Sequence, residues 1–255
     1  MNHFKKYPKT VYTFGDEVSS NLFSDISVYS DMIDQVRNAV GTYQDYYIQS
    51  GERPDQVSQK LYDTPEYHWT FMLMNPKLRE CGWPLSEREL LLQCQRDFPN
   101  TTIVTANDLV TDQLTVTGTV RNKILPGVTV TGQSSGVEGI VEHRHLELGQ
   151  IVVKGTKSFI EGETILLSTD VNVNFVASSV VSEYLSVHHW EDTNGAYVDL
   201  IDANGVVDIT GGASNTAITQ FDRYVRANNS LKEIKVLKRE IVGQISDAIK
   251  TAIRS

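Results

Sequence analysis

The sequence predicts an α+β fold in three stretches. Residues 1–99 are mostly helical, 100–180 form an inserted small all-β barrel or sandwich, and 181–255 hold a β-hairpin followed by an amphipathic helix. Three observations carry this. Apolar residues recur three and four apart near both ends of the chain. Composition shifts after Asn100, where Thr, Val and Gly replace helix formers. Asn194-Gly195 stands between two β-type runs, Tyr184 to Trp190 and Tyr197 to Ile201, and that dipeptide is a strong hairpin signal.

The elements follow in order. Residues 1–28 read as loop and strand, anchored by Val11, Tyr12 and Phe14. Ser30-Asp31 caps a helix whose apolar face is Ile33, Val36, Val40 and Tyr43. A short strand, Tyr46 to Ile48, runs into a turn at Ser50-Gly51. Pro54 suits a first helical position, where a missing N–H costs nothing, and Val57 and Leu61 share one face. Asp63-Thr64 breaks that helix. Thr64-Pro65 starts the next, with Trp69, Met72 and Leu73 as its stripe and Asn75-Pro76 as its stop. The two helices are expected to pack through Leu61, Trp69 and Met72, each worth roughly 1.5–3 kcal/mol if fully buried. Ser86-Glu87-Arg88-Glu89 is a capping box before Leu90, Leu91, Leu92 and Phe98, and Pro99 ends that helix.

Beyond Asn100, alternation at Leu114 to Thr117 and Val128 to Thr131 predicts strands. Further strands are expected at Ile140-Val141, Ile151 to Val153, Ile165 to Leu167 and Val171 to Val176. A faint internal echo sets a Gly turn before a strand at Pro126-Gly127-Val128 and again at Glu161-Gly162-Glu163. Val180 to Ile209 reads as a meander, with a second turn at Asn204-Gly205 and a loop at Gly211 to Asn215. One long terminal helix is expected, with Leu231, Ile234, Leu237, Ile241, Ile245, Ile249 and Ile253 on its apolar face. Such a face must cover either the N-terminal helices or another chain.

The whole-chain totals narrow the function. A net charge of −9 argues against a general nucleic-acid binder. Charge is uneven, because from Phe221 onward eight Lys or Arg face four acids, a local net of +4. A basic end on an acidic body suits docking on an acidic partner surface, and equally a solvated helix face. No stretch approaches membrane-spanning length, no apolar N-terminal run precedes a cleavage site, and the two cysteines, Cys81 and Cys94, are expected reduced.

Reactive-looking motifs have plainer readings. Gly132-Gln133-Ser134-Ser135-Gly136 matches Gly-x-Ser-x-Gly, but a nucleophile elbow leads from strand into helix and a strand-like run follows here. A Ser/Gly hairpin loop is expected instead. His143 and His145 share a strand face without a third ligand at metal spacing. His188 and His189 are adjacent, and adjacent strand residues point to opposite faces. Glu161 and Glu163 fall in a turn. No catalytic residue, metal or cofactor is expected.

Tyr46 to Asn75 resembles a LysM module. The matching places are Tyr47-Ile48, Gly51-Glu52, Leu61-Tyr62-Asp63, Trp69 and Asn75. The stretch departs from that family after Asn75, where Lys77 to Pro84 replaces a second strand, which must come from elsewhere or be absent. A wider match resembles the gene-product-fifty-three family of baseplate wedge proteins from contractile-tail, T-even-like phages. It rests on Arg53-Pro54, Leu61-Tyr62, Tyr67-His68-Trp69, Leu73-Met74-Asn75 and Trp83-Pro84-Leu85-Ser86. Further on it rests on Val187-His188-His189-Trp190-Glu191-Asp192, Asn194-Gly195, and Glu233 to Leu237 with the helix after it. The β stretch from Leu114 to Val176 fits less well and reads as an insertion.

The resemblance implies a virion structural subunit, assembled in the host cytoplasm, that joins other wedge subunits and contacts the sheath-initiating subunit in a multi-copy hetero-oligomer. It implies no catalysis, no nucleic acid and no membrane. Candidate partner-binding residues are Tyr62, Tyr67, Trp69, Trp83, His188, His189, Trp190, Leu237, Ile241, Ile245 and Ile249. Two rival readings remain: a peptidoglycan-binding LysM-type module using Trp69 and Tyr62 as a sugar platform, and an esterase or peptidase using Ser134.

Overall fold

The computed structural model describes residues 9–13, 20–24, 41–105, 122–200 and 208–252. Contacts divide the chain into two units, one up to Glu87 and from Asn228 onward, the other Arg88–Ala227. The architecture is α+β, with six α-helices among the described residues. The boundaries expected after residues 99 and 180 both fall inside the second unit.

In the first unit, β1 (Lys9–Thr13) and β2 (Ser20–Ser24) pair antiparallel. Val11 and Tyr12 are exposed there, so they do not anchor a core as expected. Phe14 and the helix face Ile33, Val36 and Val40 lie outside the described residues. Tyr43, expected on that helix, instead opens β3 (Tyr43–Tyr47), and Ile48 just beyond it is buried.

Helix α1 (Pro54–Tyr62) starts at its proline, and the Arg53 N–H donates to Gln56 Oε1 at 3.1 Å. It ends at Asp63, whose φ of 59° is left-handed, a conformation Asp tolerates better than most residues. Thr64 Oγ1 accepts the Glu66 N–H at 3.3 Å and starts a 3₁₀ turn, Pro65–Tyr67, before α2 (Trp69–Met74). Phe71, Leu73 and Met74 of this helix are buried, and Val57, Tyr62, Phe71 and Met74 share a core against which the half-buried Leu61 and Met72 pack as expected, while Trp69 is half-buried outside it. Asn75 ends α2, and α3 (Pro76–Cys81) follows at once. Helix α4 (Glu87–Asp97) buries Leu90 and Cys94 and leaves Leu92 exposed.

The larger sheet of the second unit has seven strands: β4 (Thr101–Val104), β5 (Thr129–Gly132), β6 (Glu138–His145), β7 (Gln150–Val153), β8 (Thr164–Leu167), β9 (Asp170–Val176) and β10 (Ser179–Ser182). They form one antiparallel sheet in the order β10-β4-β7-β6-β5-β8-β9. The outermost strands of that order, β9 and β10, are joined by Ala177-Ser178 alone. The Ala177 N–H reaches Glu163 O at 3.0 Å and the Ser178 N–H reaches Val104 O at 2.8 Å. The sheet therefore curls back on itself, and Ile103, Val130, Val141, Ile151, Ile165 and Phe175 share one core. A bulge between Val141 and His143 lets β6 pair first with β5 and then with β7. Leu114 to Thr117 lie outside the described residues.

The internal echo is a repeated hydrogen-bond pattern. The Gly127 N–H reaches Val141 O at 2.7 Å, and the Val141 N–H returns to Val128 O at 2.9 Å. The Gly162 N–H likewise reaches Ala177 O at 2.7 Å, and the Ala177 N–H returns to Glu163 O. Both glycines have positive φ, 91° and 81°.

A separate three-stranded sheet, order β12-β11-β13, follows: β11 (Val187–Glu191), β12 (Tyr197–Val198) and β13 (Thr216–Thr219). Asn194-Gly195 makes the turn between β11 and β12, with Gly195 at φ 78°. Tyr184 is not on that strand but in a 3₁₀ turn, Glu183–Leu185, and Asn204-Gly205 lies outside the described residues. Helix α5 (Gln220–Asn229) was not anticipated.

The chain then returns to the first unit. The expected single terminal helix is instead β14 (Glu233–Leu237) and α6 (Arg239–Ala252). Ile234 and Val236 alternate with Glu233 and Lys235, so this stretch fits period two as well as helical spacing. Pairing with β3, Glu233↔Tyr47 through Leu237↔Tyr43, decides it. On α6, Val242 is buried and Ile245 packs on the same core as Tyr62 and Phe71, so the helix covers its own unit.

Candidate functional site

The first unit is closed by polar contacts between residues far apart in sequence. Asn75 Nδ2 donates to Lys235 O at 2.8 Å and to Phe71 O at 2.9 Å, and the Lys235 N–H donates to Asn75 Oδ1 at 2.8 Å. A side-chain amide thus pairs with the strand as a neighbouring peptide would. Tyr62 Oη donates to Leu237 O at 2.9 Å, and burial pushes its pKa up to about 12. Glu52 accepts from Tyr46 Oη and the Gln49 N–H, each at 2.9 Å, and from Lys60 Nζ at 3.1 Å. Burial opposes its charge, yet these donors hold its carboxyl below the usual range. Trp83 Nε1 donates to Glu52 O at 2.6 Å. Arg239 on α6 bonds Asp63 at the end of α1.

The candidate partner residues divide accordingly. Tyr62 is 7% exposed and Leu237 0%, so both are core residues and neither presents a face to a partner, contrary to expectation. Tyr67 sets its ring edge-on to Tyr62 at 5.8 Å, and Trp83 lies 5.8 Å from Phe71. Trp69, Ile241 and Ile245 are half-buried and keep accessible surface. The Ile249 side chain lies outside the described residues. A groove of about 740 Å³ beside Asn75 is lined by Met74, Pro76, Leu78, Leu231 and Lys235.

The second unit gathers the histidines. His188 and His189 do not diverge as adjacent strand residues should, and the expectation fails at a bulge. Val187 pairs with Thr219 and His189 with Ile218, so His188 is the extra residue. Their rings lie 5.0 Å apart at 88°, and Nδ1 meets Nδ1 at 2.8 Å. His189 Nε2 lies 3.0 Å from Glu191 Oε1. Arg226 grips Glu191 with both Nη atoms, at 2.5 and 2.9 Å. Arg226 first and His189 second hold the Glu191 carboxyl down at about 2.

Trp190 packs against Gly211, where an added Cβ would come within 2.0 Å of its ring. His143 and His145 sit edge to face at 5.1 Å, and His143 Nε2 lies 3.3 Å from the buried Glu183. Burial and then His143 lower the pKa of His145, while burial and then Arg223 lower that of His188. A cleft of about 450 Å³ runs past His143, His145, His188, Glu183 and Arg223. Among the described residues no three His, Cys, Asp or Glu converge as metal ligands do.

Ser134 sits in the β5–β6 hairpin. The Ser134 and Ser135 N–H groups donate to Glu163 Oε2 at 3.1 and 2.9 Å, Ser135 Oγ bonds Oε1 at 2.9 Å, and the Ile160 N–H bonds Oε1 at 2.7 Å. Burial works against the Glu163 charge, but the amides of Ile160 and Ser135 hold its carboxyl below the usual range. This carboxylate pins two turns. Sequence reasoning placed Glu163 in a turn and Asn75 at a helix stop but missed what each one bonds, and it did not single out Arg226. The one available signal for Arg226 was its spacing from Arg223 along a helix face.

Among the described residues no helix is long and apolar enough to cross a membrane. A scan against protein-family models and a search of curated proteins both found no match to this chain.

Proposed function

We propose that this chain is a structural subunit of a contractile-tail baseplate wedge, which joins other wedge subunits and contacts the sheath-initiating subunit by association alone. One observation carries the reading. Two stretches that bear the resemblance, Leu61 to Asn75 and Glu233 to Leu237, meet through Tyr62–Leu237 and Asn75–Lys235. Strand β14 pairs antiparallel with β3, which supports reading it as the second strand that a LysM-like unit needs and that the sequence after Asn75 lacks. The chain leaves this unit after Glu87 and returns at Asn228, so the curled sheet is inserted into it.

In this reading the LysM-like unit serves as a protein-contact surface. The half-buried Trp69, Ile241 and Ile245 carry apolar contact, and the basic end sets register against acidic neighbours. The subunit assembles in the host cytoplasm and stays in the virion. Mass spectrometry of purified tails tests it. The chain should be a component in fixed ratio to the other wedge subunits; variable traces lost on further purification would sink the idea. Retention on insoluble peptidoglycan that Trp69→Ala abolishes favours the glycan-binding reading, and Ser134 labelling by a fluorophosphonate favours the esterase.

A further inference from the structure

We propose that the hydrogen-bonded pair His188–His189 is a proton-triggered latch, in which a second proton breaks the bond between the rings and loosens β11 from β13. The argument begins with hydrogen counting. A bond between two imidazole nitrogens needs one N–H and one lone pair. Glu191, gripped by Arg226, is an ionised acceptor, so His189 Nε2 carries a hydrogen toward it. In the uncharged pair, His189 Nδ1 is then the lone pair and His188 Nδ1–H the donor, 2.8 Å away. One added proton can be held with the bond intact, since either ring can donate as an imidazolium while the other accepts. Two added protons place N–H against N–H, and the bond is lost.

The surroundings of His188 oppose its charging. His188 faces Arg223 from α5 and His145 from β6, and burial adds to their effect in lowering its pKa. His189 has Glu191 on its own strand and the Tyr197 ring of β12 stacked on it at 5.2 Å. His145 has Glu147 and Glu183 near it, which partly offset His143. His143, paired with Glu183, stands outside the latch. The bulge makes the bond structural. His188 is the residue that the β11–β13 register skips, and its Nδ1 contact holds it on the same side as His189.

The sign follows from linkage. With its rings apart, the open form can bind one more proton than the latched form. Acid therefore favours opening, and wherever that extra proton is taken up the opening constant rises about tenfold per pH unit.

The test uses the full chain. Amide exchange, corrected for its intrinsic pH dependence, is followed at pH 7.5 and 5.5 in wild type and in His188→Gln, whose amide can donate or accept without titrating. Wild type should lose protection in β11 and β13 by roughly tenfold on acidification, with β4 and β7 unmoved, and His188→Gln should show no such loss. Equal protection at both pH values, or an unaltered loss in the variant, overturns the latch. If His188→Gln does not fold, ¹⁵N-histidine spectra of wild type decide. One protonated and one bare Nδ1 at pH 7.5 supports the proposal. Two bare Nδ1 atoms, or uptake of two protons with β11 still protected, overturns it.

Discussion

At the scale of single residues, carboxylates and amides hold together segments that the sequence keeps apart. Asn75 reaches a strand 160 residues away and gives it two hydrogen bonds. Asn75→Ala leaves the Lys235 peptide without that partner and should cost about 1–3 kcal/mol, read as a lower urea midpoint for the first unit. Glu163→Gln should destabilise the second unit by a similar amount, because an amide NH₂ would confront the N–H groups that the carboxylate accepts. A pH series checks the cause. The folded pKa of Glu163 is lowered, so its contribution is present above the unfolded value, about 4.3, and is lost as pH falls toward the folded value. Wild type should show that acid loss and the Gln variant should show less of it. The local signals were legible at this scale: Pro54 began a helix, Asp63 ended it and Thr64 capped the next turn. Asn75 read as a helix stop and a LysM-like place but not as a bridge, because its second partner lies far off in sequence.

At the scale of elements, legibility depended on whether one period alone fitted a segment. Helix α1 and the strands β5 and β7 to β9 stood out by spacing and turn residues. Glu233 to Leu237 did not, since Ile234 and Leu237 fit a helix while Ile234 and Val236 fit a strand, and the partner strand β3 made the choice. The bulge in β11 was likewise invisible, because nothing in Val187-His188-His189 marks an extra residue. Gly211 tests how tightly that sheet is packed. Its φ of 80° and the Trp190 ring both exclude a Cβ. Gly211→Ala should therefore destabilise the second unit by more than about 1 kcal/mol, with a change in Trp190 emission at neutral pH. Unchanged stability and emission would show that Trp190 does not depend on that glycine.

At the scale of the whole molecule, the chain begins a unit, leaves it and comes back to finish it. Ending the chain after Ala227 removes Ile234, Val236, Leu237 and Val242 from the first core. Amide exchange should then show α1 and α2 unprotected while β4 to β10 stay protected, and protection persisting in α1 would contradict this dependence on the returning strand. The β region was legible from its composition. Its limits were not, because α4 and α5 are ordinary helices that nothing in the sequence ties to the β region. We propose that this molecule works by binding other tail proteins. The most direct test is co-expression with the other wedge subunits and the sheath-initiating subunit, followed by size exclusion. Co-elution in one early peak of constant composition is the predicted result, and elution as a lone monomer beside every one of them would contradict it.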